Sequence, residues 1–384
     1  MRKLKILTLC YEYPPVGGGG GRVAAQISEA LSKEGHDVCV ATSGMKHLPV
    51  QEKINGVKIH RFACLRRRED TCSVPEMVFY LVGTFLPTLR LVRKWKPHVI
   101  HVHFAVPTGA VALPIHWMTG IPYILTAHLG DVPGGVPEQT GALFKFLGPF
   151  IRPIWKYAAA ATAVSSFVAN LARKAYAKDI EVILNGVPAS PAPAIVPRDP
   201  VKLLFVGRLS VQKNPLALVA IAKRIAHLNW HLDIIGEGPF SAGLQAAMSS
   251  TGLRDRVEFH GWKAAREVRE AMLRSDILLM PSRSEGLPMA AIEALHCGMT
   301  IVGSDIPGLQ DVVVNGRNGD LCAMEDLESR MADAVELLIK NPERLLSYRK
   351  EGLARAAHFD LAKSVAAYEE VLQRAVESTA ISNE

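Results

Sequence analysis

The feature that most restricts this chain is an alternation of short apolar runs with helical patterns, which stops once and restarts. In the first half, Leu4–Cys10, Asp37–Ala41, Val57–Phe62, Val99–Val102, Tyr123–Ala127, Ala161–Val164 and Glu181–Leu184 read as strands. Helical segments lie between them. Arg22–Lys33 carries Val23, Ile27, Ala30 and Leu31 on one face, and Gly35 is placed to close it in a left-handed cap. Such alternation predicts a parallel sheet covered on both faces. Asn185 to Pro200 holds five prolines with little periodicity, which marks a linker. Beyond it Lys202–Val206, Leu232–Ile235, Val257–His260, Ile277–Met280 and Thr300–Gly303 repeat the pattern. The expected organisation is α/β: a Rossmann-like domain over 1–187, a linker at 188–200, and a second such domain over 201–357. In open sheets of this class ligands bind beyond the carboxyl ends of the strands, so chemistry is expected there.

The chain has 384 residues, more than one ordinary core holds. Its 49% hydrophobic and 21% charged residues exclude disorder. The net charge of +7 suits nucleic acid, anionic membrane or phosphorylated ligands alike, and being modest and spread along the chain it decides nothing alone; no nucleic-acid partner is expected. Six cysteines form no CxxC pair and no Cys/His cluster at zinc spacing. Reduced thiols in a cytoplasmic protein are expected, with no metal and no cofactor. The apolar run at the start enters a Pro-Gly turn at once, as a first buried strand does and a signal peptide does not. The charge-free stretch Met77–Leu89 is 13 residues, short of the ~20 that cross a bilayer.

Three segments at strand ends carry chemistry. Tyr13-Pro14-Pro15-Val16 leads into Gly17 to Gly21 and Arg22. Glycines at a strand-to-helix turn let backbone approach a ligand, and a helix N-terminus favours an anion. Neither a GxGxxG nor a GK[ST] fingerprint is met. Past the strand ending at Val206 stand Arg208 and Lys213, a bidentate fork and a point charge suited to a diphosphate. The third segment runs from Pro281 to Gly298. Pro288 suits the first helical position and Gly298 the C′ position. Amides around Gly286, Leu287 and Met289 can cradle phosphate. Glu293 lies on a helix apolar nearly all round and needs a partner, either ribose hydroxyls or a structural arginine. Glu285, in the loop before that helix, can reach a sugar hydroxyl.

The spacing of Glu285 and Glu293 is an E-x7-E signature. Its setting resembles the retaining glycosyltransferases of family 4, which have the GT-B fold of two Rossmann-like domains facing across a cleft. The resemblance covers nearly the whole chain: Tyr13-Pro14-Pro15-Val16-Gly17-Gly18, Pro97 to His103, Thr126 to Asp131, Asn185-Gly186-Val187, Val206-Gly207-Arg208 and Gly236 to Pro239 occur in the family's order. The family often has Asp after Asn-Gly-Val; this chain has Pro188.

The resemblance implies roles. Arg208 and Lys213 hold the donor diphosphate, with Gly286, Leu287, Pro288 and Met289 at the helix start. Glu293 binds the ribose, Glu285 approaches the transferred sugar, and Gly18 and Gly19 approach phosphate and sugar. His128 stands against the donor sugar and Asp131 on the acceptor side. The last helix, within 358–384, crosses back onto the first domain. The implied reaction moves a hexosyl group from a UDP- or GDP-sugar to an acceptor hydroxyl of a glycan or lipid-linked acceptor. A sugar-nucleotide epimerase or phosphorylase of the same fold, and a non-catalytic anion binder, are the alternatives. The carboxylates at Glu285 and Glu293 oppose the binder.

Arg66-Arg67-Arg68, Met77–Leu89 and the cluster Arg90, Arg93, Lys94, Trp95 and Lys96 fit either contact with anionic lipid or helices with solvated basic ends. The same holds for Phe144, Phe146, Phe150 and Trp155 with Lys145, Arg152 and Lys156. With lipid contact, the protein would work at the inner face of the plasma membrane.

Overall fold

The computed structural model describes residues 2–68 and 72–382, and the chain divides into two compact units. The first unit comprises Met1–Gly186 with Leu361–Glu384, the second Val187–Asp360.

In the first unit β1 (Lys5–Leu9), α1 (Gly19–Lys33), β2 (Asp37–Gly44), β3 (Gln51–Ile54) and β4 (Val57–Ala63) are followed by α2 (Val74–Trp95), β5 (Val99–His103), α3 (Gly109–Thr119) and β6 (Tyr123–Ala127). Then come α4 (Pro137–Tyr157), β7 (Ala160–Ala163), α5 (Ser166–Tyr176) and the two-residue β8 (Glu181–Val182). The sheet order is β3-β4-β2-β1-β5-β6-β7-β8, parallel except for β3, which runs antiparallel to β4. β1, β5 and β6 are buried almost throughout, as strands covered on both faces must be. Gly35 caps α1 with φ +95°, and the His36 amide bonds back to the Leu31 carbonyl.

The second unit runs β9 (Val201–Val206), α6 (Ala217–Arg224), β10 (Trp230–Ile235), α7 (Ser241–Ser249), β11 (Val257–Gly261), α8 (Ala265–Leu273), β12 (Ile277–Met280), α9 (Met289–His296) and β13 (Thr300–Ser304). It closes with α10 (Pro307–Gln310), β14 (Gly319–Cys322), α11 (Leu327–Lys340) and α12 (Pro342–Ala356). The six strands are all parallel, in the order β11-β10-β9-β12-β13-β14. Residues 188–200 are fastened to this unit: Arg198 reaches the buried Asp276 carboxylate at 2.6 Å, and Arg349 bonds both Asp276 (2.6 Å) and the Val196 carbonyl (2.9 Å).

The last helix, α13 (Leu361–Ser382), belongs to the first unit. Ser364 donates to the Leu184 carbonyl at 2.7 Å, Glu369 meets His36 at 3.0 Å, and Tyr368 packs on His101. Among the described residues no helix is long and apolar enough to cross a membrane, and all six cysteines are free thiols.

Candidate functional site

Each sheet has one place where successive strands turn from one side to the other. In the second unit it lies between β9, which leads on to β10, and β12, which leads on to β13. Ligands of doubly wound sheets bind at the carboxyl side of such a switch point. The loops there carry the expected residues. Arg208 follows β9 and is exposed; Lys213 sits in the next turn, its amide bonded to the Ser210 carbonyl at 3.1 Å. Glu285 follows β12 and is 5% exposed. The Lys213 ammonium bonds its carboxylate at 2.5 Å, and Gln212 donates to the Ser284 carbonyl at 2.9 Å. The two loops are therefore one unit. Glu285 is held from behind as well, since a β-carbon at Gly308 would lie 2.2 Å from its carbonyl oxygen.

Pro288 is the residue before α9, with an extended backbone, and Met289 is the first helical residue, one position later than expected. Proline stands there because its ring forbids the amide that a regular turn would use. Gly286, Leu287, Pro288 and Met289 are buried in this helix start, and Glu293 is half-buried on the same helix. Gly298, with φ +69°, ends it. Trp262, past β11, is 66% exposed, and its amide donates to Glu237 at 3.2 Å.

In the first unit the switch lies between β1 and β5. The glycine run is not all loop: Gly18 caps α1 and Gly19 begins it, so the helix starts three residues before Arg22. Gly20 is required by packing, because a β-carbon would lie 2.3 Å from Phe104. Gly18 faces open space, but its amide donates to the Glu12 carboxylate at 3.0 Å.

His103, at the end of β5, and His128, just past β6, meet at 3.0 Å between Nδ1 and Nε2. Neither His101 nor His103 was singled out from the sequence, although strand alternation puts both on one face. Burial holds His101 down to about 3, with the neighbouring His128 adding to the effect. Burial likewise pushes His103 well below the ordinary range, and His128 to about 4 against the pull of Asp131. All three rings are neutral at pH 7, each with one proton to place. His103 Nε2 and His101 Nδ1 are buried without partners. A buried N–H without an acceptor is the rarer and costlier orphan, so hydrogen-bond accounting assigns both atoms as bare lone pairs. His101 then donates through Nε2 to Thr126 Oγ1 at 2.9 Å, and Thr126 meets Thr162 at 2.8 Å. His103 donates through Nδ1 to His128 Nε2. The proton of His128 is left on Nδ1, which makes no hydrogen bond among the described residues. His128 thus offers a neutral N–H donor, not a base.

Asp131 is the residue that the resemblance sets on the acceptor side. It is 2% exposed, and its carboxylate accepts the amides of His128 (2.9 Å), Leu129 (3.1 Å) and Ala105 (2.8 Å). It positions the loops that carry the histidines.

The aromatic-basic stretch on α4 divides between core and surface. Phe144 and Trp155 are buried, Trp155 stacked on Tyr176 at 4.6 Å, while Phe150 is exposed; the side chains of Lys145 and Phe146 lie outside the described residues. Among the described residues the one group with metal-ligand spacing is His231, Asp233 and Glu258, on β10 and β11. Asp233 there bonds His260 at 2.9 Å, and none of the expected site residues takes part.

Comparison with known proteins fits this geometry. Residues 17–191 match the family described as Glycosyltransferase Family 4, and residues 189–355 the family described as Glycosyl transferases group 1. Over 367 residues the chain is 30% identical to a glycogen synthase of Mycobacterium tuberculosis, covering 88% of this chain and 87% of that one. The chain belongs to the family 4 glycosyltransferases. As a member it is a transferase enzyme with the GT-B fold. The fold is also that of sucrose-phosphate synthase from Thermosynechococcus elongatus, with a TM-score of 0.83 at 19% identity over 98% of this chain and all of the other. An Anabaena protein solved with UDP-glucose has a TM-score of 0.73 at 16% identity, over 98% of this chain and 99% of that one.

Proposed function

We propose that this glycosyltransferase moves a hexosyl group from a UDP- or GDP-sugar to an acceptor hydroxyl, with retention at the anomeric carbon and without a metal, in the synthesis of a cell-surface glycan, glycolipid or polysaccharide. The observation that carries this is Lys213 bonded to the buried Glu285 across the β9–β12 switch point, beside Arg208 and the start of α9. An ammonium offers three donors and Glu285 uses one, which leaves two for phosphate oxygens. Arg208 adds a bidentate fork. Glu285 is engaged by Lys213 and is a poor nucleophile, so the leaving diphosphate itself takes the acceptor's proton on the front face. One donor set on developing charge is worth ~3 kcal/mol in such a step. Glu293 binds the ribose, Gly19 and the first turn of α1 approach phosphate, and the His128 N–H binds an oxygen of the sugar.

Donor binding is tested by thermal shift with UDP- and GDP-sugars in EDTA. Ligand at 100 times its dissociation constant adds about 2.7 kcal/mol. Arg208→Ala and Lys213→Ala should lower kcat more than they raise the donor KM, because they face charge that grows as the diphosphate leaves. Binding that disappears on chelation overturns the metal-free reading. Full turnover with lost affinity overturns the leaving-group role, and isomerised donor in the absence of acceptor makes the enzyme an epimerase.

A further inference from the structure

The edge strand of the second sheet, β11, and its neighbour β10 carry a group of side chains that the donor reading does not use. Trp230, Leu232 and Ile234 of β10, with Val257 and Phe259 of β11, turn toward the unit's hydrophobic core. Strand alternation therefore sends His231, Asp233, Glu258 and His260 to the opposite face. Register sets Asp233 directly beside Glu258. Like charges opposed across strands destabilise a sheet unless a counter-charge joins them. Ile234 pairs with Phe259 and Ile235 with Gly261, so His260 is the extra residue of a bulge. Bulges re-aim side chains. Here the His260 ring comes to both acids, with Nε2 2.9 Å from Asp233 Oδ1 and Nδ1 3.6 Å from Glu258 Oε1. His231 Nε2 stands 3.4 Å from the same Asp233 oxygen. His231, Asp233 and Glu258 each bring a ligand atom to within 4.8 Å of the others. Tetrahedral coordination with zinc–ligand bonds of ~2.1 Å sets such atoms about 3.4 Å apart, a gap that rotamer adjustment closes. The side chains of His231 and Asp233 are each 23% exposed and that of Glu258 62%, so an ion can enter from solvent and keep a water.

We propose that this face binds one divalent transition-metal ion of the zinc class, with His231 Nε2, Asp233 and Glu258 as ligands. One imidazole and two carboxylates suit zinc, cobalt or nickel, whereas magnesium favours a shell of oxygens alone. An ionised carboxylate only accepts, so His260 donates to Asp233 through Nε2 and orients it from outside the coordination shell. Lys202, in register with His231, lies on the β9 side of β10, away from Glu258. The ion offsets the repulsion between Asp233 and Glu258 and clamps the edge strand to the sheet. Two residues beyond the bulge the clamp reaches the loops: the Gly261 carbonyl accepts the Gly236 amide at 2.8 Å, and the Trp262 amide donates to Glu237. Arg208, Lys213 and Glu285 take no part, so the metal is held by residues other than those proposed for the donor.

The tag-free, full-length protein, stripped with EDTA and exchanged into chelator-free buffer, is titrated at neutral pH with zinc, cobalt and magnesium. A single equivalent of zinc should bind, read by competition with a chromogenic chelator, and should raise the melting temperature. Cobalt should give visible d–d absorption, and magnesium at the same concentration should do neither. His231→Gln with Glu258→Gln should weaken zinc by about 100-fold or more and abolish the cobalt band, since loss of even an outer-shell partner costs about 10- to 100-fold. His260→Ala, which removes only the outer hydrogen bond, should weaken zinc about ten-fold and keep the band. Glu258→Gln alone should fold as stably as the metal-free parent, its side chain being largely exposed, yet lose the zinc-induced rise in melting temperature. The proposal falls if neither zinc nor cobalt binds the stripped protein. It falls equally if the double variant binds them as the parent does, which would place the ion on other histidines.

Discussion

His103 shows what a single residue adds to a site that position alone had suggested. Arg208, Lys213 and Glu285 were legible because each follows a strand that periodicity had found. The bond between Lys213 and Glu285 was not, since 72 residues separate them and only the order of β9 and β12 brings them together. His103 was hidden for a related reason: its partner stands just past the next strand, 25 residues away. By donating to His128 Nε2, His103 is a positioning residue that fixes His128 as an N–H donor at Nδ1. His103→Asn keeps an amide near the place of Nδ1 and should retain most activity. His103→Leu leaves His128 Nε2 unpaired and should lower kcat about ten-fold, the worth of roughly 1.4 kcal/mol from one neutral hydrogen bond. Nitrogen-15 NMR of the imidazoles provides a readout that a purely structural role would not move. His128 should carry its proton on Nδ1 in the wild-type protein and populate both tautomers in His103→Leu. A wild-type His128 protonated on Nε2 would overturn the assignment.

At the scale of elements, strands rich in apolar residues are legible to within one to three positions, and polar ones are not. β3 is exposed Gln51–Ile54 and has no inward face to produce a period. Its signal was the Asn55-Gly56 turn, with φ of 48° and 87°, the positive pair a two-residue hairpin needs. β14 was missed as a four-residue edge strand. Helix α2 was visible only as an apolar stretch, which says nothing of direction. The structure gives one: Val78, Val82 and Leu86 form an exposed ridge at helical spacing, with Phe79 beside it and the exposed Arg90 and Arg93 continuing the face. An apolar ridge ending in cations is suited to anionic lipid. The protein should sediment with anionic vesicles at low salt and release as salt rises. Val82→Glu with Leu86→Glu should abolish this at little cost in stability, as both side chains are at least half exposed. Equal recovery on neutral vesicles, or none on either kind, would remove the membrane from the account of α2.

Over the whole molecule the two units divide unequally the groups that respond to acid. The first contains His101, His103 and His128, all held neutral by burial, with His60 and His98 lowered more mildly. In the second, His296 is the one histidine lowered by burial among the described residues. Its buried charges include Asp276 and Arg349, paired with each other, and Glu285, paired with Lys213. A histidine whose folded pKa lies below its unfolded value, near 6.5, stabilises the fold fully above that value. The contribution is lost as pH falls toward the folded pKa, about 4 for His128 and about 3 for His101. Between pH 6.5 and 4 the unfolded chain binds the extra protons, and each such group can cost up to about 1.4 kcal/mol per pH unit. The first unit should therefore open before the second on mild acidification. Hydrogen exchange read by mass spectrometry, corrected for the intrinsic rate at each pH, resolves the units within the intact chain. Amides of β5 and β6 should lose protection between pH 6.5 and 4.5 while those of β9 and β12 keep theirs. Equal loss in both sheets would mean that the buried histidines do not set the acid limit.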